Sequence, residues 1–159
     1  MTTPTVPDTR EATEAPSSDV PAPLVLIVDD ESRIRALFRR WLVRAGYQVV
    51  EAGSGSEAIQ QLMSNGVTIK LVVTDRNMPS GNGDDLIRAV QATWPGMPIL
   101  CVTGYGDDMR TTVPILAKPV SGPVFMEAIE RALAGAVSET AGAAASADSA
   151  PRRGSPPTT

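Results

Sequence analysis

Histidine is absent from all 159 residues, and cysteine occurs once, at Cys101. The first absence removes Ser-His and Cys-His catalysis and imidazole-held metals, which leaves carboxylates and a lysine as the reactive groups to explain. The second rules out a disulfide framework; Cys101 stands in an apolar run and reads as a buried thiol rather than a nucleophile. Aromatic residues are scarce, at 4%, and all lie between Phe38 and Phe125, so the core belongs to the middle of the chain. No run reaches the ~18 apolar residues of a membrane span, and no basic flank followed by an apolar stretch opens the chain. Positive charge is not in excess either: the net charge is -4, and Arg152-Arg153 alone is too small a basic patch to hold nucleic acid. A cytoplasmic protein with no nucleic-acid or membrane partner is expected.

What is present has an ordinary globular balance, 42% hydrophobic and 20% charged. Residues 1–22 and 136–159 are dominated by Thr, Pro, Ser and Ala, compositions that bury too little apolar area to offset the entropy of ordering. They read as disordered tails around one domain, residues 23–135, a common domain size.

Within that domain apolar runs alternate with helical patterns. Leu24 to Val28 reads as a buried strand ending on Asp29-Asp30. A helix follows, with Ile34, Leu37, Phe38, Trp41, Leu42 and Ala45 at helical spacing, Arg33, Arg35, Arg39 and Arg40 largely on the other side, and Gly46 as the stop. Tyr47 to Ala52 is a more polar strand suited to a sheet edge, and a second helix carries Ala58, Ile59, Leu62 and Met63. The third strand, Ile69 to Thr74, delivers Asp75 to a loop bounded by Pro79 and Gly81. A helix with Leu86, Ile87 and Val90, a strand from Pro98 to Thr103, a short strand from Pro114 to Ala117 before Lys118-Pro119, and a helix with Phe125, Ile129 and Leu133 complete the order. Such alternation predicts an α/β fold, a parallel sheet covered on both faces. The ten residues Gly104 to Val113 are too few and too polar for a full fourth helix, so a loop with at most one helical turn is expected there.

Asp29, Asp30, Asp75, Thr103 and Lys118 each stand at the carboxyl end of a predicted strand, where open α/β sheets hold ligands, and a single parallel sheet brings all five to one rim. Two carboxylates 4 Å apart repel by about 4 kcal/mol at an effective dielectric near 20, so three together must protonate, separate or hold a cation. Mg²⁺ suits such a set, because it accepts a few carboxylates and keeps waters that a phosphate can replace. The roles follow from charge: Asp75 attacks phosphorus and becomes an aspartyl phosphate, Asp30 and Asp75 hold most of the ion, Asp29 acts through a water, and Lys118 adds positive charge. The Thr103 hydroxyl can bond a phosphoryl oxygen. No organic cofactor is expected.

At these residues the chain resembles the response-regulator receiver domains of two-component signalling. The matching stretches are Val28-Asp29-Asp30-Glu31, Thr74-Asp75-Arg76-Asn77-Met78-Pro79, Val102-Thr103-Gly104 and Ala117-Lys118-Pro119. The resemblance implies a flavodoxin-like, doubly wound, five-stranded sheet of order 2-1-3-4-5. It implies transfer of a phosphoryl group from a histidine kinase or histidine phosphotransfer protein to Asp75, a Mg²⁺ contact from the Asn77 backbone carbonyl, and tuning of dephosphorylation by Asn77 and Tyr105. An aromatic switch residue usual in the family is replaced here by Ile115. Cys101-Val102-Thr103-Gly104-Tyr105 is similar to the Phe-Ala-Thr-Gly-Tyr motif of a branch that lacks a regular fourth helix. The reading is of a stand-alone receiver, a signalling domain rather than an enzyme, that acts on an unidentified downstream protein or drains phosphate.

Two other readings stay open beside it, a phosphorylation-independent interaction module of the same fold and a haloacid-dehalogenase-like phosphohydrolase. The latter places its nucleophile in an early Asp-x-Asp and its acidic pair late, the reverse of the order here. Gly53-Ser54-Gly55-Ser56-Glu57-Ala58 also fits a Gly-x-Gly-x-x-Ala dinucleotide pattern, but the strand before it is polar and the domain is short for that fold.

Overall fold

Strand β1 (Leu24–Val28) shows why the apolar runs are continuous: Val25 and Ile27 face one side of the sheet, Leu26 and Val28 the other, and all four are buried. The same alternation holds in β3 (Ile69–Asp75), where Leu71 and Val73 oppose Val72, and in β4 (Ile99–Thr103), where Leu100 and Val102 oppose Ile99 and Cys101. A strand covered on both faces has no polar side to show, so the period of two disappears from the sequence. Each such side chain contributes roughly 1.5–3 kcal/mol by leaving water. The structure, a computed structural model, describes residues 21–79, 83–104 and 112–143.

β2 (Gln48–Ala52) and β5 (Ile115–Ala117) close the two edges, giving one parallel sheet in the order β2-β1-β3-β4-β5. The expected fold class and strand order are those observed. Helices α1 (Ser32–Arg44) and α4 (Gly122–Ala143) cover one face, and α2 (Gly55–Asn65) and α3 (Gly83–Thr93) the other. On the first face Phe38 of α1 stacks on Phe125 of α4, ring centroids 4.4 Å apart, and Trp41 lies 5.6 Å from Phe125. Cys101 is wholly buried, as its surroundings in the sequence indicated.

Local signals set the helix ends. Gly46 takes φ +90 after α1, while its N–H reaches the Val43 carbonyl and the Tyr47 N–H reaches that of Leu42, the paired bonds of a Schellman stop. Ser54 caps α2 by accepting from the Glu57 N–H, and the Glu57 carboxylate accepts in turn from Gly53 N–H at 2.7 Å. The dinucleotide-like Gly53–Ala58 stretch is therefore built as a helix cap.

One difference from expectation concerns the end of an element. α4 runs to Ala143, eight residues beyond the boundary placed at 135. The stretch is alanine-rich and free of proline until Pro151, and alanine favours helix whatever the polarity of its neighbours. Among the described residues no helix separates β4 from β5; residues 105–111 of the expected loop, with Tyr105, lie outside the described residues, as do most of the two expected tails.

The turn from β3 into α3 leaves no room for a side chain at Gly83. Its N–H donates to the Arg76 carbonyl at 2.9 Å, and a Cβ there would stand 2.3 Å from the Asp75 carbonyl oxygen and 2.7 Å from Arg76 Cα. Gly135, on α4, has open space around the same position. Gly83→Ala is expected to cost about 1–3 kcal/mol through backbone displacement, and Gly135→Ala to gain up to ~1 kcal/mol of helix propensity. Urea unfolding of the two variants checks the opposed signs.

Candidate functional site

The strand register assembles the rim. Val28 stands opposite Thr74, so Asp29 and Asp75 leave their strands side by side; Asp75 stands opposite Val102, and Thr103 opposite Ala117, which sends Lys118 to the same end. All five strand-end residues singled out in the sequence meet there. Asp29, Asp75 and Thr103 are buried, Asp30 is exposed, and Lys118 is half-buried.

Hydrogen bonds fix each group. The Asp29 N–H continues the ladder to the Ala52 carbonyl at 3.2 Å, and its Oδ1 accepts from the Glu31 N–H at 2.8 Å. Asp75 Oδ1 accepts from the Asn77 N–H at 3.1 Å, which anchors the turn on which Asn77 sits. The Lys118 ammonium donates to Asp75 Oδ2 at 2.7 Å and to Asp29 Oδ2 at 3.2 Å. Its own N–H bonds the Thr103 carbonyl at 2.7 Å, tying the short β5 edge to the site. Ile115 pairs in register with Cys101 and packs, half-buried, against the core on the α2 and α3 side.

Charge is shared unevenly. Burial raises the Asp29 carboxyl above its ordinary 3.8, and the Asp75 charge adds to this; the Glu31 amide and Lys118 oppose it without prevailing. Burial alone would lower the Lys118 ammonium, but the hydrogen bond to Asp75 and the charges of Asp29 and Asp75 outweigh it, and the net shift is upward from 10.5. Both shifts are upward, which disfavours the charged form of Asp29 and favours that of Lys118: the ammonium sits closer to Asp75, so Asp29 loses more to desolvation than it gains from the pair.

One oxygen from each of Asp29, Asp30 and Asp75 lies within 4.8 Å of the others. Ligand oxygens around an octahedral Mg²⁺, each at ~2.1 Å, stand about 3–4 Å apart. The set is all oxygen, compact and open at Asp30, and one ammonium cannot neutralise three carboxylates. It fits a hard divalent cation.

Sequence reasoning missed several supporting groups. Thr74, the polar residue that ends the apolar run of the third strand, is wholly buried and donates its hydroxyl to the Asp75 carbonyl at 2.9 Å. Arg76 pairs with Asp84 at 3.1 Å across the loop that follows Asp75. Arg35, assigned to the polar side of α1, instead turns to the rim, where NH1 donates to the Asp29 carbonyl at 2.6 Å and the Asp30 carbonyl at 3.2 Å. The available signal was Glu51, an acid on the strand beside β1 that an α1 arginine can reach; it lies 3.5 Å from Arg35 Nε.

A family model described as the response regulator receiver domain matches residues 25–130. The chemotaxis protein CheY1 of Helicobacter pylori is 35% identical over 116 residues, covering 67% of this chain and 93% of that protein. The transcriptional regulatory protein GlrR of Escherichia coli is 35% identical over 123 residues, covering 73% of this chain, which spans 27% of GlrR. A response regulator receiver domain protein from Clostridium thermocellum aligns with a TM-score of 0.67 at 30% identity, over 71% of this chain and 95% of that one. No helix among the described residues is long and apolar enough to cross a membrane.

The raised groups set a pH dependence. Above pH 3.8 the folded state holds the Asp29 proton more tightly than the unfolded chain, so stability falls as pH rises through that window and stays lower at neutral pH. Asp29→Asn should raise the melting temperature at pH 7 in metal-free buffer, with the gain shrinking below pH 3.8. The Lys118 contribution is fully present below pH 10.5 and is lost as pH rises through its folded value, so wild type should weaken at alkaline pH. Thermal melts of both proteins across pH check this; a lower melting temperature for Asp29→Asn at pH 7 would show that its pairing outweighs its burial.

Proposed function

Because the chain belongs to the response regulator receiver domain family, we propose that Asp75 is its phosphoacceptor and that Thr103 and Lys118 serve the transfer. The observation that carries this reading is the Lys118 ammonium bridging two buried carboxylates, with the buried Thr103 on the adjoining strand end. Receiver domains take phosphoryl groups from histidine kinases and are signalling domains rather than conventional enzymes. An Asp75 carboxylate oxygen forms the new bond to phosphorus as the bond from phosphorus to the donor's imidazole nitrogen breaks, and that nitrogen keeps the electron pair. Lys118, already on Asp75 Oδ2, keeps positive charge beside the transferring group, and the Thr103 hydroxyl accounts for one phosphoryl oxygen.

Asp30 and Asp75, with Asp29 acting through a water and the Asn77 backbone carbonyl on the neighbouring turn, would hold Mg²⁺. When bound, that ion supplies charge against the phosphoryl oxygens. The donor partner is a histidine kinase or a histidine phosphotransfer protein. Output by contact with a downstream protein, or by draining phosphate, rests on the likeness to CheY1 over 93% of that protein. A receiver unit at 23–135 is part of the same reading, as are regulatory parts for Tyr105 and Ile115 and the branch with an irregular fourth connection.

Intact-protein mass after incubation with acetyl phosphate tests the assignment. A single phosphate adduct is expected, dependent on Mg²⁺, absent in Asp75→Asn and formed about 100-fold more slowly in Lys118→Gln. An adduct that persists in Asp75→Asn would overturn it. Refusal of both acetyl phosphate and phosphohistidine donors by wild type would favour the phosphorylation-independent module.

A further inference from the structure

The carboxylate of Asp30 is the exposed member of the acidic set, so its place depends largely on the backbone turn that carries it from β1 into α1. One nitrogen braces that turn. Arg35 NH1 donates to the carbonyls of both Asp29 and Asp30, at 2.6 and 3.2 Å, and charge-assisted bonds of this kind are roughly twice as strong as neutral ones. The guanidinium is itself held from the sheet edge. Glu51 of β2 offers Oε2 to Arg35 Nε at 3.5 Å and Oε1 to Arg39 Nε at 3.4 Å, and Glu51 adjoins Ala52, whose carbonyl receives the Asp29 N–H. Gly53 lies beside the guanidinium, where a Cβ would stand in ordinary contact, 3.5 Å from Arg35 NH1.

The buried Arg35 Nε has no hydrogen bond of good geometry, although Glu51 stands within ion-pair range. A guanidinium placed to satisfy Glu51 would align Nε with the carboxylate. Here the short bond goes to the Asp29 carbonyl instead. The Arg35 side chain is 19% exposed against 59% for Arg39, so this arginine does not belong to the solvated face of α1.

We propose that Arg35 is a positioning residue for the cation site: anchored by Glu51, it holds the Asp29–Asp30 turn so that Asp30 stays within reach of Asp75 against carboxylate repulsion. This rests on the reading of Asp29, Asp30 and Asp75 as a Mg²⁺ site. Charge and position predict opposite signs. A cation beside a divalent site repels the incoming ion, so if Arg35 acted only through its charge, removing it would tighten binding. A brace that sets ligand geometry weakens binding when removed, by about 10- to 100-fold for residues supporting metal ligands.

Calorimetric titration of the full chain with Mg²⁺ alone separates the two, with melting temperatures in chelator as a control for folding. Arg35→Gln is expected to bind Mg²⁺ at least about tenfold more weakly, Arg35→Lys to recover part of the loss, and Glu51→Ala to weaken binding in the same direction by less. Binding as tight as wild type or tighter in Arg35→Gln overturns the proposal and leaves the site reading standing. Failure of wild type to bind Mg²⁺ overturns the site reading and the proposal with it. If Arg35→Gln does not fold, Glu51→Ala decides: weaker binding supports the brace, and unchanged binding overturns it.

Discussion

The ion pair of Lys118 with Asp75 and Asp29 is the contact on which the rest of the molecule depends. Two carboxylates, 6% and 1% exposed, stand together at the end of the sheet, where repulsion at 4 Å is worth about 4 kcal/mol at an effective dielectric near 20. One ammonium, 2.7 and 3.2 Å away, offsets that repulsion and comes from the far side of β4. β5 has only three residues and no fully buried side chain, too little area to hold an edge by packing alone. The Lys118 side chain and its N–H bond to Thr103 fasten that edge from the site, so the same residue that bridges the two carboxylates also completes the sheet edge.

Most of the architecture could be read in advance because burial on both faces leaves a plain trace. Val25 to Val28, Leu71 to Val73 and Ile99 to Val102 are apolar without interruption, and a polar group at the end of such a run can only be at the rim. Register then requires no further information: parallel neighbours aligned on Val28, Thr74 and Cys101 must end together. Gly46 was legible for the same kind of reason, since a positive φ leaves few alternatives to glycine.

What escaped the sequence depends on angle and reach rather than type. Arg35 follows Ile34 by 100° of helical turn, close to the border between the covered and solvated faces, and only its length and the position of Glu51 decide which way it goes. Thr74 looked like the polar end of an apolar run; its hydroxyl is satisfied by the next carbonyl, a local bond that composition cannot announce. The continuation of α4 to Ala143 was hidden because alanine and serine are common both to unstructured tails and to helices.

Ile115 bears on how the site communicates with the β5 edge. A β-branched aliphatic side chain, stiff at χ1 and packed half-buried against the α2 and α3 side, has no ring to swing and no hydroxyl to exchange partners. The polar links available among the described residues are elsewhere. Lys118 N–H is bonded to the Thr103 carbonyl on one side of Ile115, and Thr112 is bonded to Gln91 of α3 at 3.0 Å on the other. Both ends of the β5 segment are thus tied to elements that frame Asp75, the first through the backbone of β4 and the second through the helix that begins at Gly83, against the Asp75 carbonyl. A change in charge at Asp75 alters the hold of Lys118 directly, and Lys118 adjoins the last residue of β5. Coupling by this route runs through an ion pair and the backbone, and it does not require an aromatic residue at position 115.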